Sequence, residues 1–511
     1  MSDVLGAIND VIWSDWLVYL CLAAGVYFSV RSRFMQVRHF KGMIHQLVRG
    51  ETSPSGVSSF QALAMSLSGR VGTGNIAGVA TAIAFGGPGA MFWMWMVAFL
   101  GASTSFVEST LGQIYKTRDP LTGEYRGGPA YYLSRALAHT RAAGIFKVYG
   151  YVFAAVTVLA CGVLLPGVQA NSMATAIDGA WTVSPWIVAV GAVIVLAFVI
   201  IGGVKRIATF ASFVVPFMAL AYIILALIVV LMNASVLPEV LGMVFRSAFG
   251  LDSAFGAVVG LAVMWGVKRG VYSNEAGQGT GPHAAAAAEV SHPAKQGLVQ
   301  AFAVYVDTLF VCSATGFLIL STGAYRVFHG GSEDGGVLAE GGLLSATAVV
   351  GPQFVQEGFD SAFSGFGASF IAFSLIFFCL TTIIAYYYMA ETNLRFLVGN
   401  SSTTLIPGIK ASIGRVTTMA LQVAILIAVA YGTVNTAADA WLMGDIGVGL
   451  MAWLNIIGIL ILQQPAYKAL RDFERQKKLG IDPVFDPKAL NIVGATFWES
   501  YDRDRSKEPV A

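Results

Sequence analysis

Charge is scarce in this chain. Asp, Glu, Lys and Arg make up 12% of its 511 residues, about half the ~25% usual in soluble proteins. Thirty-one basic residues against 29 acidic ones leave a formal net charge of +2, which gives no electrostatic reason to expect a nucleic-acid partner. Cysteine is scarce too. Cys21, Cys161, Cys312 and Cys379 all sit inside apolar runs without metal-ligand spacing, so they read as small core residues rather than a disulfide framework. Catalytic motifs are missing as well. No Lys completes a GxxxxGK loop, no HExxH occurs, and the six histidines are scattered. The string Gly72-Thr73-Gly74-Asn75-Ile76-Ala77-Gly78 is one residue out of register for a dinucleotide fingerprint and follows no strand. The chain is expected to be no enzyme and to need no cofactor.

What is present is apolar. Hydrophobic residues account for 56% of the chain, beside 57 glycines, more than a soluble globule of this size can hide. Disorder is excluded by the same excess. An all-α polytopic membrane protein follows, with the lipid bilayer as its partner. A hydrocarbon core of about 30 Å asks for roughly 20 residues per helix. Eleven apolar segments meet that need: 13–30, 57–85, 88–116, 146–177, 184–203, 207–233, 253–290, 296–324, 361–393, 411–433 and 440–464. The chain opens Met-Ser-Asp and its first positive residue is Arg31, so no cleaved leader is expected. Arg31, Arg33, Arg38, Lys41, Arg49, Lys116, Arg118, Arg126, Arg135, Arg141, Lys205, Arg206, Lys295, Arg395, Lys410, Arg415 and the basic tail from Lys468 fall on one side, whereas Arg246 and Arg326 fall on the other. The excess of Lys and Arg predicts an external N-terminus and a cytoplasmic C-terminus.

Three basic residues are left at membrane depth: Arg70, Lys268 and Arg269. Buried charge in lipid is costly and usually marks function. Each lies beside a glycine cluster, Gly69-Arg70-Val71-Gly72-Thr73-Gly74-Asn75 in one segment and Gly266 through Gly281-Pro282 in another. Both clusters open a five-helix set, 57–233 and 253–464, and the two sets cross in opposite directions. An interrupted helix at the head of each half describes an inverted-repeat transporter, with 13–30 as an extra helix and 465–511 as a cytoplasmic tail.

Glycines let the backbone leave helical geometry, and the freed groups then need polar partners. A half-helix starting near Asn75 turns its positive end to a cavity and suits a substrate carboxylate. Carbonyls just before it, around Ser68 and Val71, suit a small cation. In the second cluster Trp265 and Tyr272 are expected to cover the substrate, and Ser273 and Asn274 offer hydrogen bonds. Glu275 either counters a substrate ammonium or pairs with Lys268 or Arg269 to hold the bend. Thr381-Thr382 in an oily run either contribute to a hard-cation site or bond back to the preceding helical turn. Glu108 and Asp307 are intramembrane carboxylates, functional or structurally paired. Tyr386-Tyr387-Tyr388 reads as an interfacial belt.

Three stretches together resemble the alanine/glycine:cation symporter family: Val71–Ala80, Val168-Gln169-Ala170-Asn171-Ser172, and Arg269-Gly270-Val271-Tyr272-Ser273-Asn274-Glu275-Ala276-Gly277. The resemblance extends to Phe106–Lys116 and Asp307-Thr308. It implies the leucine-transporter-like 5+5 inverted repeat of the amino acid–polyamine–organocation group, in a bacterial or archaeal cell membrane. It also implies import of small neutral amino acids, alanine and glycine in L and D forms, coupled to Na+. By that resemblance the carbonyls of Ser68 and Val71 with Thr381 and Thr382 form the sodium site. Thr73, Gly74, Asn75, Gln169 and Tyr272 to Asn274 form the substrate site. The family often has Gly-Ser-Ala-Pro where this chain has Gly279-Thr280-Gly281-Pro282. The alternatives are proton coupling through Asp307 or Glu108, glutamine as substrate, or a channel. A channel calls for a repeated filter loop or similar polar faces on several helices, and neither is seen. No protein partner is expected.

Overall fold

In lipid every backbone N–H and C=O needs an internal partner, so long apolar segments settle as helices. The computed structural model describes residues 2–48, 56–120, 122–200, 203–252, 255–401 and 407–505. Arg49 and the side chains of Lys205, Arg206 and Lys410, which the orientation argument uses, lie outside what is described. Among the described residues, eight helices are long and apolar enough to cross a membrane: Ser2–Arg31, Gly89–Ile114, Ala143–Trp181, Thr209–Met232, Pro293–Thr322, Gly367–Gly399, Gly414–Val434 and Ala437–Leu462. They coincide with eight of the predicted segments. A ninth, Pro185–Ile200, is apolar but only 16 residues long. The other two predicted segments are interrupted at their glycine clusters.

The first broken helix starts at a reciprocal cap, in which Ser58 Oγ accepts from Gln61 N–H and Gln61 Oε1 accepts from Ser58 N–H. It runs Ser59–Arg70 and stops at Val71, whose φ of −78° and ψ of 92° are extended. The chain re-enters helical geometry as a wide turn, Gly74–Gly78, and continues as Val79–Gly86. The second runs Val259–Asn274, turns through 275–280, and resumes as Gly281–Ala287. That turn holds Glu275, Gly277 and Gly279 at φ of 58°, 87° and 86°, a region glycine enters freely and Glu does not. Beyond the breaks the two helices are tied together: Val57 N–H donates to Ala287 O at 3.0 Å, and Glu289 N–H donates to Val57 O at 2.8 Å.

Small residues bring the surrounding helices close. A Cβ on Gly266 would lie 2.5 Å from Trp93 Cβ, and one on Gly112 would lie 2.8 Å from Pro282 O, the close approach that glycine permits between membrane helices. Two further wide turns, Ala160–Leu164 and Val306–Cys312, interrupt helices that carry Gln169 and Asp307. Such π turns recur at functional sites.

One expectation is corrected here. Tyr386, Tyr387 and Tyr388 are each 2% exposed and form no interfacial belt. Their helix, Gly367–Ser401, is packed on several sides, and Tyr388 Oη donates to His283 O at 3.3 Å. The segment 465–505 packs against the helices. Helix Gln464–Lys478 buries Tyr467, Leu470 and Phe473, and the chain beyond it folds back. Phe485 N–H donates to Ser291 O at 3.0 Å, Lys295 Nζ lies 2.7 Å from Asp482, and Trp498 Nε1 donates to Gln113 O at 2.9 Å.

Candidate functional site

The two breaks face each other. A Cβ on Gly74 would lie 3.2 Å from Tyr272 Cδ1 and 3.3 Å from Ser273 Cα, so glycine is what lets the backbones approach. Asn75 Oδ1 accepts from Gly72 N–H at 2.9 Å, closing the gap left by the missing helical bond. Its Nδ2 donates to Asp307 Oδ1 at 2.6 Å. Asp307 Oδ2 accepts from Ser273 Oγ and Thr308 Oγ1, both at 2.8 Å. One carboxylate thus joins both breaks, with Cys312 Sγ 3.3 Å from Asn75 Nδ2 and 3.2 Å from Ser273 Oγ. Gln169, whose helix widens at Ala160–Leu164, accepts from Thr73 N–H at 3.0 Å.

On the other flank of the first break lie freed carbonyls. Thr382 Oγ1 is 2.8 Å from Ser68 O, 2.8 Å from Phe378 O and 3.4 Å from Val71 O. A hydroxyl has one proton to give, so three carbonyls around it are more acceptors than it can serve. Converging oxygens of this kind suit a hard cation. Thr381 behaves differently. Its Oγ1 donates back to Phe377 O and Phe378 O, both at 2.9 Å, so no contact brings it to Ser68 or Val71. The threonine pair splits into one residue facing the break and one bonded within its own helix.

Glu108 caps the second break. Its carboxylate accepts from Gly277 N–H at 3.3 Å, Gly279 N–H at 3.2 Å and Asn455 Nδ2 at 2.6 Å. Asn455 Nδ2 also reaches Gly277 O at 2.9 Å. Glu275 pairs with neither Lys268 nor Arg269. Its carboxylate lies 3.9 Å from Arg70 Nε and accepts from Thr280 Oγ1 at 2.9 Å. The two basic residues converge instead on Asp445, at 2.8 Å from Lys268 Nζ and 2.5 Å from Arg269 Nη2. Arg269 is also boxed by rings, with its guanidinium carbon 4.3, 5.2 and 5.4 Å from the centroids of Trp441, Trp265 and Tyr272.

Trp265 is not at the break. Seven residues before Tyr272, or about 10 Å along the helix, it packs on Phe85 at 5.1 Å and over Gly86. Trp441 is the ring against Tyr272, at 5.2 Å. Among the buried polar atoms at the breaks without a protein partner are Thr73 Oγ1, Tyr272 Oη and Asn274 Nδ2. Asn274 Oδ1 accepts from Ala276 N–H at 3.0 Å, which orients that amide. Orphaned groups at this depth are costly unless something else fills their valence.

Sequence reasoning missed Asp445, Asn455 and Trp441. A signal for the first was available: three basic residues at membrane depth require counter-charges, and Asp445 is a carboxylate inside the last apolar segment. Nothing marked Asn455 or Trp441.

The sodium:alanine symporter family model matches residues 1–487 of this chain. A putative sodium/proton-dependent alanine carrier protein of Bacillus subtilis (strain 168), YrbD, is 55% identical over 500 residues, 98% of each chain. A sodium/proton-dependent alanine carrier protein of Bacillus sp. (strain PS3) is 47% identical over 471 residues, 92% of this chain and 100% of the relative. Among solved structures, a Na+-coupled sialic acid symporter in a substrate-bound outward-open state aligns with 96% of this chain and 98% of its own, at a TM-score of 0.51 and 13% identity. That likeness concerns fold, and with it the leucine-transporter-like architecture expected from the sequence stands.

Proposed function

The chain belongs to the sodium:alanine symporter family, and from that premise we propose that it imports alanine, and glycine with it, together with Na+ by alternating access. The carrying observation is that buried polar atoms at the two breaks lack protein partners, Thr73 Oγ1, Tyr272 Oη and Asn274 Nδ2 among them. A zwitterion of a few heavy atoms supplies donors and acceptors for such groups. Its carboxylate meets the positive end of the half-helix Gly74–Gly86. Its side chain meets Tyr272, backed by Trp441, which leaves little room beyond a methyl group.

Sodium takes the oxygens around Thr382. A hard cation wants roughly five or six oxygen ligands. The Ser68, Val71 and Phe378 carbonyls and the Thr382 hydroxyl are four of them. Asn75 and Ser273 act less as free substrate donors than as the link through which Asp307 couples the breaks. A second reading rests on that same carboxylate: Asp307, bonded to both broken helices, is placed to carry a coupled proton. We infer that 57–233 and 253–464 are the two rocking halves, with the N-terminus outside a bacterial or archaeal cell membrane.

The test is counterflow of labelled alanine in proteoliposomes with and without Na+. Sodium-dependent counterflow supports symport. Counterflow that follows a proton gradient and ignores sodium selects Asp307, and no counterflow under either gradient removes the assignment.

A further inference from the structure

Beside the second break lies a polar cluster that neither the sodium site nor the substrate site uses. Arg70 and Glu275 are 2% and 1% exposed, and their charged groups stand 3.9 Å apart, closer than solvent but too far for a hydrogen bond. Arg70 Nη1 donates to Gln300 O at 3.2 Å, and its Nη2 reaches Ser105 Oγ at 3.4 Å. What is left over is more informative. Arg70 Nε, Glu275 Oε1, Ser109 Oγ and both side-chain atoms of Gln300 are buried with no protein partner. Two of them, Ser109 Oγ and Gln300 Oε1, lie with Arg70 Nη2 where Gly281 has no side chain: a Cβ there would be 3.6, 3.7 and 2.8 Å from them, respectively.

A buried ion pair that existed only to fasten helices would be expected to saturate its hydrogen bonds. This one is loose, and it leaves a donor on the cation and an acceptor on the anion unused. A ligand that carries one carboxylate and one ammonium a few ångströms apart is the chemical complement of that pair. We propose that Arg70 and Glu275, with Gln300 and Ser109, form a second and transient site for the zwitterionic amino acid on its way inward. The substrate carboxylate takes Arg70 and its ammonium takes Glu275, so each charge is exchanged for a like charge and no group is left unpaired. When the substrate departs, Arg70 and Glu275 meet again and close the path. The inference rests on the amino-acid symport reading and adds the exit route to it.

The experiment uses the full chain with both charges removed together, Arg70→Gln/Glu275→Gln, because taking out one would strand the other. Labelled-alanine binding in detergent with Na+ is measured beside counterflow turnover in proteoliposomes. The expected result is binding within about threefold of wild type and turnover lower by about tenfold or more. Wild-type turnover in the double variant overturns the relay. So does loss of binding in step with turnover, which is the signature of a purely structural pair. A second readout uses Ser109→Cys. Alanine at concentrations above those that saturate transport is expected to slow its reaction with a small thiol reagent, and Arg70→Gln/Glu275→Gln is expected to abolish that protection. A reaction rate indifferent to alanine overturns the proposal. Wild-type counterflow, run alongside, separates the two readings: its absence removes the symport assignment and the relay with it, whereas its presence with an unaffected double variant removes the relay alone.

Discussion

At the first break two residues, 71 and 72, leave the helix, whereas the second runs six residues, from 275 to 280. The short break is served by single neutral side-chain atoms, one from its own helix and two from others. Asn75 and Gln169 each accept from one freed N–H, and the Thr382 hydroxyl faces the freed carbonyls. The long break is pinned by one carboxylate: Glu108 takes two backbone N–H groups and is itself held by Asn455. Neutral single contacts exchange readily with a ligand, while a charge-assisted fork resists exchange. The comparison assigns exchange to the neutral contacts of the first break and rigid framing to the Gly277–Gly279 stretch of the second.

Breaking the first region at its centre has the largest expected effect. Asn75→Ala orphans Gly72 N–H and takes a donor from Asp307, two losses that together cost about 3 kcal/mol. Alanine binding, measured with labelled substrate on the purified variant, is expected to vanish. Wild-type affinity would dissolve the link between the breaks. Glu108→Ala strips the frame of the second region and is expected to cost about 2 kcal/mol of stability, read as a lower melting temperature in detergent. Glu108→Gln keeps an acceptor and is expected to fall between the variant and wild type. An unchanged melting temperature in both would mean the loop does not need its carboxylate.

Thr382→Ala sharpens the comparison, since it removes one oxygen from the exchangeable side. About 1 kcal/mol appears as a several-fold higher half-maximal Na+ with the ranking of competing amino acids unchanged. The smallest effect belongs to Thr381→Ala, whose hydroxyl bonds only within its own helix turn. A shift of a few tenths of a kcal/mol is expected there. A larger sodium shift in Thr381→Ala than in Thr382→Ala would reverse the assignment.

The apolar spans and the positions of both breaks were legible because they depend on local properties, run length and glycine clustering. So was the meeting of Thr382 with Ser68 and Val71, through the family resemblance. What could not be read was which polar groups meet. Asp307 lies 232 positions from Asn75, and Asn455 lies 347 positions from Glu108. Periodicity carries no information over such separations. Trp265 was expected at the break because it is near Tyr272 in sequence, yet on a helix seven residues put it at the far end of the same wall. The pairing of Glu275 with Lys268 or Arg269, one of the two readings of that carboxylate, fails for a related reason. Lys268 and Arg269 precede it on its own helix, but Glu275 turns into the left-handed region at φ 58° and its carboxylate leaves toward Arg70.

If the two breaks form one site, sodium and alanine must each strengthen the other's binding by the same factor. The direct measurement is the affinity of the purified full chain for labelled alanine across a series of Na+ concentrations, matched by the affinity for Na+ across a series of alanine concentrations. The account predicts that alanine affinity rises with sodium, that sodium affinity rises with alanine by an equal ratio, and that Thr382→Ala moves both curves together. Alanine affinity that is the same in sodium as in a large organic cation would contradict it.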